Sequence, residues 1–482
     1  MAKRQSPPVE ENQQRRFRRG RARAKGRLED RQAAEVRRVE GLGVVNAHAA
    51  GIDIGSFSHW VCVGAGAAQE LPAHTDGLHA IVVHLREQLV TTVAMESTGI
   101  YWIPLYELLE AEGFEVLLVD PGYTRQVKGR PKTDRLDCQW IYRLHSVGLL
   151  AAAFRPDEKT CQLRSYLRQR ANLIRYGGQH IQHMQKALEQ MNLKLTEIIS
   201  DITGLTGENI IRAILRGVRD PRQLAKYRNC HCKASEAEIA QALTGTYRDE
   251  HLYALKQAYE AWRFYAKQRD EIDEQIQQQL ARMKQDRNLP PLKPRKLVHG
   301  RKPNQPRFDV RTALYYVVGI DLTEIEGIEE TTALTIISEI GVTMSKFATV
   351  KHFCSWLGLC PQIKKTGGVI KSSRTRPGAN RAAAAFRLAA FGLHASKGAL
   401  GAFLRRKKAH LGAPKALVAA AHKLARLVYY ALKNGLTYVR QTQEAYETKM
   451  RAKQFQSLQR RARQLGFALV DAASGERAAF AT

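Results

Sequence analysis

Four acidic residues near the start of the chain stand where a carboxylate is costly unless something answers it. Asp53 lies inside Gly51-Ile52-Asp53-Ile54-Gly55, an apolar run with the look of a β-strand, and a charge set there must be solvated, paired or bound to a metal. Taken alone, the pentapeptide fits a turn-capping Asp equally well. Glu96 follows the apolar stretch Thr91 to Met95 and precedes Ser97-Thr98-Gly99, where the chain leaves the carboxyl end of a strand and where open α/β sheets bind ligands. The plainer reading is a Glu at a helix start, favoured by the helix dipole. In Lys132-Thr133-Asp134-Arg135-Leu136-Asp137, Thr133 suits an N-cap, so that Asp134 and Asp137 share one face of the first helical turn. They repel one another unless a cation lies between them; dipole stabilisation is again the simpler alternative. A strand Asp, a strand-end Glu and a helix-borne Asp pair can converge at one end of a sheet. Four such carboxylates suit two Mg²⁺ ions, and the chemistry implied is phosphoryl transfer.

A second group lies near the C-terminal end. Phe353-Cys354-Ser355-Trp356-Leu357-Gly358-Leu359-Cys360-Pro361 leads into Lys364-Lys365-Thr366-Gly367-Gly368 and then Ser372-Ser373-Arg374-Thr375-Arg376. Hydroxyls among glycines and cations are what a phosphate-attacking loop needs, because the cations stabilise developing charge and glycine permits close approach. A flexible surface loop is the competing reading. Arg374, Arg376 and Arg381, with Lys364 and Lys365, read as phosphate contacts. Upstream, Ile325-Glu326-Gly327-Ile328 followed by Ala333 and Ile340-Gly341 looks like a helix-hairpin-helix whose turn at Gly327 offers backbone N–H groups to a phosphate. A plain helical hairpin is the alternative.

The elements that must position these groups follow from periodicity. Between residues 44 and 155, short β-type runs (Ala50 to Ile54, Trp60 to Val63, Thr91 to Met95, Phe114 to Val119) alternate with amphipathic stretches at 78–89 and 103–112, which argues an α/β sheet. Residues 156–287 are helical in period, with a long uninterrupted stretch from His251 to Met283 that suits a coiled-coil-like arm. Residues 288–320 form a proline-rich basic linker, with five prolines between Asn288 and Arg307. Residues 321–440 are helical again, broken by a polar loop at 364–380, and residues 441–482 form a basic helix and tail. Residues 1–43 carry paired arginines and little apolar periodicity and read as a flexible basic arm.

Composition sets the partner. The 482 residues carry a formal net charge of +30, far beyond what solubility needs, and such a surplus favours a polyanion through phosphate neutralisation and counterion release. No apolar run reaches the roughly 18–20 residues that span a bilayer. The seven scattered cysteines make no disulfide framework, so a cytoplasmic protein without membrane contact is expected. Cys230-His231-Cys232 lacks the second ligand pair of a zinc site.

The order and spacing of these motifs resemble the DEDD insertion-sequence transposases, a family of bridge-RNA-guided recombinases. The resemblance covers most of residues 45–440 and rests on Gly51-Ile52-Asp53, Met95-Glu96-Ser97-Thr98-Gly99, Lys132 to Asp137 and the Thr366 block. It implies an α/β RNase H-like, Holliday-junction-resolvase-like N-terminal domain and an otherwise helical chain, with Asp53, Glu96, Asp134 and Asp137 as the metal-binding tetrad. It further implies DNA and a structured guide RNA as partners, a homo-oligomer (dimer or tetramer), and a meeting of tetrad and hydroxyl loop over one phosphodiester. In that family a serine before the glycine pair attacks DNA to form a phosphoserine link; here the position holds Thr366. Threonine keeps the hydroxyl but adds a methyl and restricts χ1, leaving three readings open: a slower nucleophile, a role ceded to Ser372 or Ser373, or a copy that has lost activity. Two rivals stand beside the recombinase: a resolvase-like nuclease that uses water, and a non-catalytic nucleic-acid-binding descendant.

Overall fold

The computed structural model describes residue 39 and residues 41–64, 66–97, 99–120, 133–294, 304–378 and 380–470. Most of the expected basic arm, Lys132 and part of the basic linker lie outside the described residues. The chain divides into two compact units, Met1–Arg155 and Pro156–Thr482.

The first unit is built on β1 (Ala49–Ile54), β2 (Ser58–Val63), β3 (Gln69–Pro72), β4 (Thr92–Glu96) and β5 (Glu115–Val119), with α1 (Thr75–Glu87), α2 (Trp102–Ala111) and α3 (Asp134–Ser146). The strand order is β3-β2-β1-β4-β5. β1 pairs antiparallel with β2, which pairs antiparallel with β3, whereas β4 runs parallel to both β1 and β5. This mixed sheet with flanking helices is the RNase H-like α/β arrangement. The alternation within β1 decides the layering: Ile52 and Ile54 point into a core with Ile81, Leu85, Leu105 and Leu109 of α1 and α2, so Gly51 and Asp53 face the other side. There α3 lies directly on β1. A Cβ on Gly51 would meet the backbone of α3, the Cys138 carbonyl oxygen at 2.6 Å and the Tyr142 Cα at 2.7 Å. Glycine at this position is what lets the helix approach. A hydrogen bond of 2.9 Å between Thr92 of β4 and His145 of α3 fastens the helix to the sheet.

The second unit opens with two long helices, α4 (Glu158–Gln190) and α9 (Asp249–Met283). They run antiparallel, since Lys159 lies beside Gln279 and Arg170 beside Asp273. Arg170 and Asp273 form a buried bidentate ion pair. Its outer atoms are also satisfied: Arg170 donates to the Asn304 carbonyl at 3.0 Å, and the Arg307 N–H donates to Asp273 at 3.2 Å. Between the long helices, the short helices α5 (Leu195–Ile198), α6 (Leu205–Leu215), α7 (Pro221–Ala225) and α8 (Glu236–Ala242) close a separate apolar core around Met184, Ile210, Ile214, Leu224 and Leu255. Cys232 packs against this core.

The linker expected to run to residue 320 ends earlier. Val310–Val318 forms helix α10, N-capped by Asp309, which accepts from the Thr312 N–H at 3.0 Å, and ended by Gly319 at φ 85°. Its Val310, Leu314 and Val317 are buried, and the Tyr315 hydroxyl donates to the Pro290 carbonyl at 2.7 Å. The prolines upstream dominate the composition there and hide a short amphipathic pattern. Helices α11 (Glu330–Ile340), α12 (Val350–Trp356), α13 (Arg381–Gly392), α14 (Ala399–Leu411) and α15 (Ala413–Gln464) complete the unit. α15 is broken at Gly435, whose φ of 81° and ψ of 170° are not helical.

The polar loop expected at 364–380 contains a β-hairpin: β6 (Lys364–Thr366) pairs antiparallel with β7 (Val369–Ser372). Its turn residues Gly367 and Gly368 have φ of 56° and 81°, the two positive values that a tight hairpin turn requires and that consecutive glycines supply.

Candidate functional site

In the first unit, the acidic residues gather because of the sheet register. Ile52 of β1 pairs with Met95 of β4, and Asp53 and Glu96 each come one residue later, so both stand at adjacent carboxyl ends of parallel strands. Glu96 is the last residue of β4, one step inside the strand rather than after it. Thr133 is the N-cap of α3, accepting from the Leu136 N–H at 3.3 Å, and Asp134 and Asp137 occupy the first turn. α3 lies on the face of β1 that carries Asp53. The charge consequence is direct: burial first, then Asp137, Asp134 and Glu96, push the Asp53 carboxyl up to about 7. The four carboxylates therefore share one field. Among the described residues no three His, Cys, Asp or Glu are gathered closely enough to ligate one ion, so they stand in electrostatic rather than ligating range. Their chemistry nonetheless fits a hard divalent cation: all donors are carboxylate oxygens, and a cation among them would relieve the repulsion that raises Asp53.

In the second unit, Thr366 ends β6, exposed beside the glycine turn and paired across it with Val369. Lys364 and Lys365 are exposed on the same strand. Ser372 and Ser373 sit at the other end of β7, and with Arg374 they line a cleft of about 1350 Å³ against α14 and α15. Thr366, Arg376 and Arg381 do not line it. The structure thus separates the hydroxyls: Thr366 at the hairpin tip, the two serines at its base.

Sequence reasoning missed the far wall of this cleft, where Lys415, His422, Lys423, Arg426 and Tyr430 project from α15. Lys415, His422, Arg426 and Tyr430 stand seven, four and four residues apart, with Lys423 next to His422, and that spacing was a helical-face signal in the sequence. Burial, with Arg426 nearby, lowers the pKa of His422 and favours its neutral form.

Gly327 serves packing. It turns the chain between the short 3-10 helix Leu322–Glu324 and α11 with φ of 87°, and a Cβ there would come within 2.8 Å of Leu393. Its neighbour Glu326 caps α14, accepting from the Leu400 N–H at 3.0 Å and the Gly401 N–H at 3.2 Å. The motif singled out for a helix-hairpin-helix thus holds helices together.

Both units match known family models. The DEDD transposase model of IS110 matches residues 50–193, and the model described as transposase IS116/IS110/IS902 family matches residues 321–400. The chain belongs to the IS110 family of transposases. It is accordingly a DNA recombinase, and DNA is its substrate. The first match contains Asp53, Glu96, Asp134 and Asp137; the second contains Gly327, Thr366, Ser372 and Ser373. A search of curated proteins gave no match. Among the described residues of this transposase, no helix is long and apolar enough to cross a membrane.

Proposed function

We propose that this transposase cuts and rejoins DNA by metal-assisted strand transfer through a covalent protein–DNA link. In this reading Asp53, Glu96, Asp134 and Asp137 hold divalent cations, Mg²⁺ by donor type, and Thr366 supplies the attacking hydroxyl, with Ser372 and Ser373 as alternates. The observation that carries it is the convergence of four carboxylates on one end of the sheet, where burial and the neighbouring carboxylates together push the Asp53 carboxyl up to about 7. A bound metal pair would polarise the scissile phosphodiester and stabilise the departing oxygen. Asp53 must give up its proton to serve as a ligand, so its burial ties metal loading to pH. On the hairpin, Gly367 and Gly368 carry no side chain to keep the phosphate from the Thr366 hydroxyl, and Lys364 and Lys365 add positive charge to that strand.

The bond count balances. The hydroxyl oxygen joins phosphorus as the P–O bond to one strand breaks; the hydroxyl proton is released and the departing strand oxygen takes one up. The reverse attack by a new strand hydroxyl restores the side chain, so rejoining needs no external energy source. The net charge of +30 supports a further polyanionic partner, proposed as a structured RNA encoded by the element that selects the DNA; Arg374, Arg376 and Arg381 are proposed as phosphate contacts beside the hairpin. The working assembly is proposed as a homodimer or homotetramer.

The test is adduct mapping. Labelled element-junction DNA, candidate RNA and Mg²⁺ are mixed with wild type, Thr366→Ala, Ser372→Ala and Ser373→Ala, and the linked peptide is sequenced. A nucleotide on Thr366, lost only in Thr366→Ala, is expected. A nucleotide on Ser372 or Ser373 reassigns the nucleophile, and cleavage without any adduct overturns the covalent reading in favour of hydrolysis.

A further inference from the structure

The cleft beside the hairpin base is built for more than one phosphate. Lys371, Arg374, Lys415, Lys423 and Arg426 line it, and among the described residues no Asp or Glu does. Five like charges around one concavity repel each other and raise the local potential for a polyanion. The floor is of a different kind. Leu359 and Leu400 are buried there, and Phe403, Val418, Leu427 and Tyr430 are half-buried. Lys423 sits 4.6 Å above the Phe403 ring, and Tyr430 stands edge-on to Tyr429 at 5.5 Å and 85°. At about 1350 Å³ the cleft exceeds the roughly 300–1,000 Å³ of an ordinary small-ligand site.

A cationic rim over an apolar, aromatic floor calls for a ligand with both properties in series. Duplex DNA offers phosphates, but its base faces are stacked away inside. A single nucleotide offers a base, yet its charge sits on one group and leaves most of the rim unanswered. An unpaired strand offers successive phosphates and free base faces together, the combination that single-strand-binding grooves recognise.

We propose that this cleft holds a short unpaired run of the DNA strand beside the hairpin, with base faces against Tyr430 and Phe403 and phosphates along Lys415, Arg426 and Arg374. The choice of DNA rests on reading the hairpin as the element that attacks DNA. Ser372 and Ser373 line the cleft, so a strand seated there lies against the hairpin itself. Local opening of the duplex then becomes part of substrate recognition, with the cleft stabilising the opened strand.

The test separates binding from chemistry by working in EDTA, where strand transfer cannot run; failure of the covalent reading would appear in the adduct map and leave this measurement untouched. A short single-stranded DNA carrying 5-iodouracil is photo-crosslinked to the full chain, and its affinity is measured by fluorescence anisotropy against blunt duplex, RNA of the same sequence and a mononucleotide competitor. Crosslinks at Tyr430 or Phe403 are expected. Tyr430→Leu should weaken the single strand about 5- to 100-fold while leaving the duplex within about twofold. Arg426→Gln, an exposed change that spares the fold, should lower the salt slope by about 0.7, the value of one phosphate contact on a single strand. Crosslinks mapping elsewhere, equal loss for duplex and single strand, or an unchanged salt slope would overturn the proposal. RNA bound as tightly and weakened as much would make RNA the occupant and overturn the assignment to DNA; displacement by an equal concentration of mononucleotide would do the same for a strand.

Discussion

Replacing Asp53 by Asn keeps the shape of the side chain and removes its charge, which makes it a direct probe of the crowded carboxylates. With its carboxyl pushed up from 3.8 to about 7, folded Asp53 resists ionisation that the unfolded chain accepts. The associated stability is fully present below about pH 4 and is lost as pH rises to about 7, above which the loss is constant. Three pK units at 1.36 kcal/mol each amount to about 4 kcal/mol; because the residue is only partly shielded from solvent, about half of that, ~2 kcal/mol, is expected. In metal-free buffer at pH 8, Asp53→Asn should therefore be the more stable protein by ~2 kcal/mol, and at pH 4 the two should be nearly equal. For a unit of this size the gain is about 4–8 °C in melting temperature, read from tryptophan fluorescence during heating. Wild type and variant melting with the same spacing at pH 4 and pH 8, or a variant that melts lower at pH 8, would show that Asp53 is not held protonated by its surroundings.

Other expectations follow from the same geometry. Adding Mg²⁺ at pH 8 should stabilise wild type by about 2.7 kcal/mol at a concentration one hundred times the dissociation constant, raising its melting temperature, and leave Asp53→Asn unmoved; equal shifts would place the ion elsewhere. Gly51→Ala puts a methyl against the α3 backbone, where Cys138 O would lie at 2.6 Å, so it should cost about 1–3 kcal/mol and reduce strand transfer by moving Asp134 and Asp137 off the sheet. In the second unit, Asp273→Ala strands the buried Arg170 and should cost about 3–5 kcal/mol in denaturant unfolding. Glu326→Ala removes the cap of α14 and should cost about 1 kcal/mol, with DNA affinity unchanged if the motif only holds helices.

What was legible in the sequence is what local chemistry dictates. The apolar runs around Ile52, Val93 and Leu118 marked the strands because both faces of the central ones are covered, and Thr133 announced the start of α3 because an N-cap is decided within three residues. β3 escaped because Gln69-Glu70-Leu71-Pro72 is a mostly exposed edge strand with no apolar alternation. The hairpin at Thr366 was read as loop because its strands, Lys364–Thr366 and Val369–Ser372, are short and exposed, although Gly367-Gly368 was the available signal. The site divides the same way. The acidic residues could be named one by one, but their convergence depends on Gly51 admitting α3, a contact between residues 51 and 142 that no local pattern announces. The cationic cleft likewise needs α15 folded back against the hairpin base.

On the proposed mechanism, strand transfer requires the Asp53 carboxylate and proceeds with either threonine or serine at position 366. The most direct test is a recombination assay on joined-end element DNA with RNA and Mg²⁺, comparing wild type, Asp53→Asn and Thr366→Ser, with DNA binding measured in parallel. Rejoined product from wild type, at least as much from Thr366→Ser because a hydroxyl remains without the added methyl, and none from Asp53→Asn at unchanged DNA affinity is the result predicted. Rejoined product from Asp53→Asn at the wild-type rate would contradict the account.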